Sequence, residues 1–389
     1  MTTMPASGAP APAQAPRPVP AGHSPDRRGS LVPAAGMIAT RIMELRRRRG
    51  LMITLIVLDI GFPAVFYLIR LLGHAFAPRA NPSAGSGQIF TFFAAGFLPT
   101  FGFIVAATVG CTAGSRDLTE GMFRHLVVTG RSRLALYLAR IPAGLAIVAS
   151  LVAIGYAIVC AVSVLAAPTF IDYNNVNIPP GLSRAEFGNW ARDRAEPVVC
   201  SLPYSGQVPA NLPCPLPWSK SAVTPAQPAS ARLEALAVKI ASQDYPGYTA
   251  IFRSPPDSLM IEAGLWIELE AIVTFTVGLG LASLMGQRTV PVILLFVFQI
   301  IVTPILSAVD IPHLQDLQRS IVGLAMARLE PSGLPIAAAL PGVTGGVATR
   351  GAGGPSLLPE SATEAVFVII AWLAAWTILG AWRMMTRDA

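Results

Sequence analysis

Charge is what this sequence lacks most. Only 13% of its 389 residues are Asp, Glu, Lys or Arg, against about a quarter in ordinary soluble domains. Lysine is nearly absent, with Lys220 and Lys239 the only two. No Gly-x-x-x-x-Gly-Lys-Ser/Thr run occurs, so the chain has no Walker A lysine to offer a nucleotide phosphate. His23, His74, His125 and His313 are scattered, without metal-ligand spacing to one another or to cysteine. There is no His-Glu-x-x-His motif and no nucleophile beside a base, which removes a metalloprotease or hydrolase reading. No metal, cofactor or catalytic residue is expected in the chain itself. Residues 1–36 are rich in Pro and Ala and lack an apolar core, so they are expected to be disordered and not a signal peptide.

What is abundant is apolar. Hydrophobic residues make up 53% of the chain and the mean hydropathy is +0.57. Six segments are long and apolar enough to span a bilayer, which takes about 20 residues: Leu51–Gly73, Ile89–Cys111, Leu134–Ala166, Glu262–Met285, Val290–Val309 and Ala365–Trp382. The expected fold is an all-α integral membrane protein. It divides into a basic amphipathic helix at 37–50, helices 1–3 over 51–166, a loop domain at 167–261, and helices 4–6 over 262–389 with an intervening segment at 310–364. The wealth of Arg, Ala, Gly and Pro suggests a high-GC bacterial genome.

The net charge of +7 reads as membrane orientation, not as nucleic-acid binding, because arginine marks the cytoplasmic side. Arg46, Arg47, Arg48 and Arg49 precede the first segment; Arg116, Arg124, Arg131 and Arg133 follow the second; Arg288 separates the fourth and fifth; Arg383 and Arg387 follow the sixth. All four placements agree with a plasma-membrane protein whose two termini are cytoplasmic. Loop 167–261 is then external. In it, Ser183 and Glu186 form a capping-box signature for a helix from Arg184 to about Ala195. Leu233, Leu236, Ala237 and Ile240 share one face of a second helix. Cys200 and Cys214 are in position to form a disulfide outside the cytoplasm, or to remain two thiols. Ser254 is expected to cap the fourth membrane helix, with the two prolines after it in the first turn.

The charged run "SRDLTEGMFRHLVVTGRSRLALYLAR" at 115–140 interrupts this pattern. Ser115 is expected to cap a short helix and Asp117 to suit its positive end. Leu118, Met122, Leu126 and Thr129 recur at helical spacing, and Glu120 and Arg124 are a favourable pair four apart. Gly130 ends the helix, and Ser132 starts the next span. Periodicity leaves two readings open: a helix lying on lipid headgroups, or one pressed into a partner protein.

The stretch resembles the cytoplasmic loop of ABC-2 type transporter permeases. The carriers of the resemblance are Asp117 or Glu120, Gly121, and "TGRSR" at 129–133, together with the basic helix before the first span and the six-span layout. It covers roughly residues 37–166 and 262–385; the large loop 167–261 departs from the commonest pattern. The resemblance implies a coupling helix within 115–130, with Asp117, Glu120, Gly121, Arg124, Gly130 and Arg133 transmitting motion from an ABC ATP-binding subunit. ATP would be bound by that separate partner, and a second permease copy would complete the transporter, either as a homodimer or as a heterodimer. A stand-alone secondary transporter or channel, or a protein acting through its outer loop, is the alternative.

Three acids are candidates for a translocation path. Asp59 falls near mid-bilayer, where a charge costs roughly 2.5–3.5 kcal/mol on insertion scales; it is either a polar contact on the route, an interhelical hydrogen bond or a protonated acid. Glu262, Trp266 and Glu270 share a helix face, while Glu268 points elsewhere. They either line an exit vestibule or are solvated at the interface. Residues 310–329 have the pattern of a re-entrant or interface-lying helix.

Overall fold

The computed structural model describes residues 33–77, 83–85, 87–119, 132–167, 171–173, 176–179, 181–200, 231–252, 255–303, 305, 315–331, 334 and 361–386. Apart from one two-stranded hairpin, the elements are helices. Five of them are long and apolar enough to cross a membrane: α2 (Arg49–Phe76), α3 (Ile89–Ser115), α4 (Arg133–Leu165), α8 (Asp257–Met285) and α12 (Ala362–Thr386). The predicted span Val290–Val309 appears as a shorter apolar helix, α9 (Thr289–Val302); residues 306–314 lie outside the described ones. Ahead of the spans runs α1 (Ala35–Arg46). Between α4 and α8 come β1 (Ile171–Tyr173), β2 (Val176–Ile178), α5 (Arg184–Asp193), α6 (Ala195–Cys200) and α7 (Ala231–Phe252). Between α9 and α12 come α10 (Gln315–Ser320) and α11 (Val322–Arg328).

Helices α3 and α8 form the centre of the bundle: 67% of each apolar window is buried, against 22% for α2 and α12 and 33% for α4. Burial follows side-chain size. Gly110 and Gly114, one turn apart on α3, face α8 so closely that a Cβ at Gly110 would stand 2.4 Å from the Phe275 carbonyl oxygen, and one at Gly114 2.5 Å from that of Leu279. In lipid, helices associate through packing, not through the hydrophobic effect, and small residues permit that approach. On the other side of α8, Gly280 meets the backbone of Trp376 in α12. The outer faces of α2 and α12 instead expose Ile53, Val65, Ile69, Phe367 and Ile378, as lipid-facing surfaces do. An aromatic ladder ties α2 to α3: Phe62 stacks on Phe97 at 4.5 Å, Phe97 on Phe101 at 4.1 Å and Tyr67 on Phe93 at 5.0 Å.

Arginine-bearing helix ends gather at one end of the bundle. Ser132 caps α4 there by accepting from the Ala135 N–H at 3.1 Å, as expected. Arg133 donates to the Met385 carbonyl at the last turn of α12, at 3.2 Å. The second span, however, does not stop before Ser115. Its helix continues to Thr119, and the Ser115 hydroxyl donates to the Cys111 carbonyl at 2.8 Å. A serine can bond back to the carbonyl four residues earlier as well as cap a helix; with no Gly or Pro between 115 and 119, the helix runs on. Asp117 therefore lies in the continuation of α3, not at the start of a new helix. Glu120, Gly121, Arg124 and Gly130 lie outside the described residues.

At the opposite end, a separate small core joins the hairpin and α5–α7. Phe187 stacks on Trp190 and Tyr248 at 5.7 and 4.4 Å. Ala237 and Ala241 of α7 are buried there, with Leu236 and Ile240 packed beside them, as their spacing predicted. The Ser183–Glu186 capping box is present, with Glu186 accepting from the Ser183 N–H at 2.8 Å; the Ser183 hydroxyl, and with it the Ser183 backbone N–H, hold the exposed Glu186 carboxyl below its usual range. Helix α8 starts later than expected: its N-cap is Pro256, with no side-chain cap, and Ser254 lies outside the described residues. The chain turns back toward α9 through Gly286, whose φ of 71° is left-handed and suits glycine. The Cys200 side chain and Cys214 also lie outside the described residues, so the disulfide stays an expectation.

Candidate functional site

The first span is interrupted where Asp59 sits. Val57–Gly61 form a π-helical turn, a local widening that is rare in helices and recurs at functional sites. The turn carries Asp59 into the bundle, where it is 0% exposed. Neither carboxyl oxygen has a hydrogen-bond partner. On one side stands the backbone of α4: a Cβ at Gly155 would lie 2.6 Å from the Asp59 carbonyl oxygen and 3.2 Å from its Oδ2. Gly155 thus lets α4 close over the acid. Glu268 of α8 is half-buried and within electrostatic reach of Asp59.

Two buried hydroxyls lie further along the seam between α2 and α4. Tyr67 and Ser163 are 1% and 0% exposed, and neither hydroxyl oxygen has a hydrogen-bond partner. Tyr156, next to Gly155, donates to the Met260 carbonyl of α8 at 2.5 Å. So α2, α4 and α8 enclose a strip of polar groups inside an otherwise apolar bundle.

The other three members of the predicted acidic face are not brought together as one vestibule. Glu262 is exposed. Trp266 is buried and donates from its indole nitrogen to the Met326 carbonyl of α11 at 2.9 Å. Trp372 of α12 does the same to the Ser320 carbonyl at 2.8 Å. Helices α10 and α11 are thereby pinned onto α8 and α12, with Leu324, Ala325 and Met326 buried. Beneath them, one oxygen of Glu270 and one of Glu330 are buried without partners.

Burial, with the charge of Glu270 nearby, pushes the Glu330 carboxyl up to about 8. An acid whose folded pKa lies above its unfolded value favours the fold most below the unfolded value. The model-peptide value is 4.5. Stability from Glu330 is then full below about 4.5, falls as pH rises through that window, and is gone above about 8. Attachment of α11 should therefore loosen between about pH 4.5 and 8, seen as faster hydrogen exchange over 322–328. Glu330→Gln should flatten that pH dependence; an unchanged profile in the variant would discard Glu330 as its source.

At the arginine-rich end, a second cluster forms around Arg140. This guanidinium is 2% exposed and donates to the Gly114 carbonyl at 3.1 Å. Ser283 of α8 shares that carbonyl at 3.4 Å. A small cleft beside it is lined by Arg41, Glu44, Leu45, Ala113, Arg140 and Ala143, and Arg41 pairs with Glu44 at 2.8 Å. The basic helix before the first span is thus tied to α3 and α4.

Gly155 and Arg140 escaped the sequence reading. The signal for Arg140 was available, since an arginine well inside a predicted span demands a partner. Among the described residues no group of three or more His, Cys, Asp or Glu could hold a metal ion. Comparison with protein families, with characterised proteins and with solved structures found no match to this chain.

Proposed function

We propose that this chain is the membrane-spanning permease subunit of an ATP-driven exporter of the ABC-2 type. It works with a second permease copy and a separate ATP-binding subunit, in the plasma membrane with both termini cytoplasmic. In this reading α9, with the residues that follow it, is the fifth of six spans. The supporting observation is the knot around Arg140. Helix α1, the end of α3 and the start of α4 meet there, and the chain between Thr119 and Ser132 leaves from that end and returns to it. A displacement applied to residues 120–131 would reach three helices at once. The partner would shift the permease only through unequal affinity for its two states.

Two measurements test this. A membrane-impermeant maleimide should label Ser221→Cys from outside intact cells and leave Thr386→Cys unlabelled; the reverse pattern inverts the topology. Glu120→Arg sets like charges against Arg124 and costs the helix itself only a few tenths of a kcal/mol. Adsorption to anionic lipid would be unchanged or strengthened by the added positive charge. Coupling predicts a several-fold loss of co-purified ATPase or of substrate-stimulated hydrolysis, with the permease still inserted. Normal values for both reject 115–130 as the transmission element.

A stand-alone secondary transporter is the second reading. What favours it is that Asp59, an acid in the first span, is fully buried in the bundle with neither carboxyl oxygen hydrogen-bonded. Purification without any nucleotide-hydrolysing partner, together with transport by the lone chain in vesicles, would prefer it.

A further inference from the structure

Asp59 is 0% exposed, and neither of its carboxyl oxygens has a hydrogen-bond partner. A buried charge without a partner loses hydration that nothing replaces, so what surrounds the acid decides which form it takes. The π-turn that carries it packs against α3, α4 and the rest of α2. On α2, Asp59 is the only charged residue between Arg49 and Arg70, which stand ten and eleven residues off, about 15 Å along the helix. On α3 no charged residue occurs from Ile89 to Ser115, and on α4 none from Ile141 to Leu165. The titratable groups of these stretches are Tyr67, Cys111, Tyr156 and Cys160, and Glu268 of α8 is within electrostatic reach. None of them is basic. Tyr156, beside Gly155, commits its hydroxyl to the Met260 carbonyl.

The contact with α4 is a separate observation. A Cβ at Gly155 would stand 2.6 Å from the Asp59 carbonyl oxygen and 3.2 Å from its Oδ2. Helix α4 therefore meets the turn almost backbone to backbone, and only glycine permits it. A metal cation would need several oxygen ligands, and no group of three His, Cys, Asp or Glu is present among the described residues. A proton needs one oxygen. We propose that Asp59 is an intramembrane proton-binding site closed by Gly155: the carboxyl holds one proton while α4 lies against the π-turn, and gives it up when α2 and α4 part. On parting, the Asp59 O–H bond breaks, the proton passes to water entering the seam, and the carboxylate is left hydrated. The site stands independently of the exporter reading, because it needs no ATP-binding partner.

Infrared difference spectroscopy of the full chain in phosphatidylcholine nanodiscs tests the site. A protonated carboxyl gives a carbonyl stretch that shifts in D₂O and disappears on deprotonation. One such band should vanish in Asp59→Asn, which mimics the neutral acid and should leave insertion intact, and it should persist in Glu268→Gln. In Gly155→Ala the added methyl forces α4 off the turn, and the affinity for the proton should fall at least tenfold, one pH unit in the titration of the band. In the unaltered chain the D₂O shift should lag well behind mixing, because exchange waits for the seam to open. A band that survives Asp59→Asn, or one that Glu268→Gln removes, overturns the site. An affinity unchanged in Gly155→Ala overturns its closure by α4. Should Gly155→Ala fail to assemble, the lag decides, and a shift complete on mixing overturns the closed site. No arm measures nucleotide hydrolysis, so failure here and failure of the exporter reading are separable.

Discussion

Gly114→Leu should leave almost no folded protein. A Cβ at this position would stand 2.5 Å from the Leu279 carbonyl oxygen and 2.9 Å from the Ala282 Cβ. These are backbone and near-backbone atoms of the most buried helix pair, so neither can swing away. Overpacking in a core costs about 1–3 kcal/mol, occasionally more, and here α8 would have to move off α3 along its length. At about 2–4 °C per kcal/mol, the melting temperature in detergent should fall by roughly 2–12 °C, if monodisperse protein is recovered at all. Gly102→Ala is the control. Its Cβ would meet only a Val152 methyl at 3.6 Å, an ordinary contact. Equal melting temperatures for Gly114→Leu and the unaltered chain would show that the α3–α8 crossing is not as close as described.

Arg140→Leu should release α1. The guanidinium is the only basic group among the described residues that is both at most 2% exposed and bonded to the α3 carbonyl that Ser283 also approaches. A hydrogen bond from a charged donor contributes about 1.5–3 kcal/mol, and a 1.4 kcal/mol loss is tenfold in an equilibrium. Leu45 of α1 is 6% exposed, so a Cys introduced there reports undocking. Its maleimide labelling should accelerate more than tenfold in the Arg140→Leu background. Arg140→Lys, which keeps the charge and loses the fork geometry, should fall between. Unchanged protection in both would mean that Arg140 does not hold α1 in place.

The long spans were legible because length and hydropathy are local properties, and five of the six carry through. Ser132 and the Ser183–Glu186 box were legible for the same reason: a cap is written within four residues. Ser115 misled because the same hydroxyl serves a helix start or a helix interior, and only the neighbouring helix decides. Gly110 and Gly114 read as small apolar residues; their meaning depends on Phe275 and Leu279, distant in sequence. The close approach of Gly155 to Asp59 was invisible for that reason too.

The two tryptophans that hold α10 and α11 have one further consequence. Each indole N–H ends on a main-chain oxygen, at Met326 and at Ser320. Every amino acid supplies that acceptor. The clasp is therefore addressed to the path of the backbone and is blind to side-chain identity. Exposed positions such as Arg319 can drift in type without loosening it. The informational burden of closing this end of the bundle rests on two indoles, and substitution of either cannot be offset by any side chain on the segment they grip.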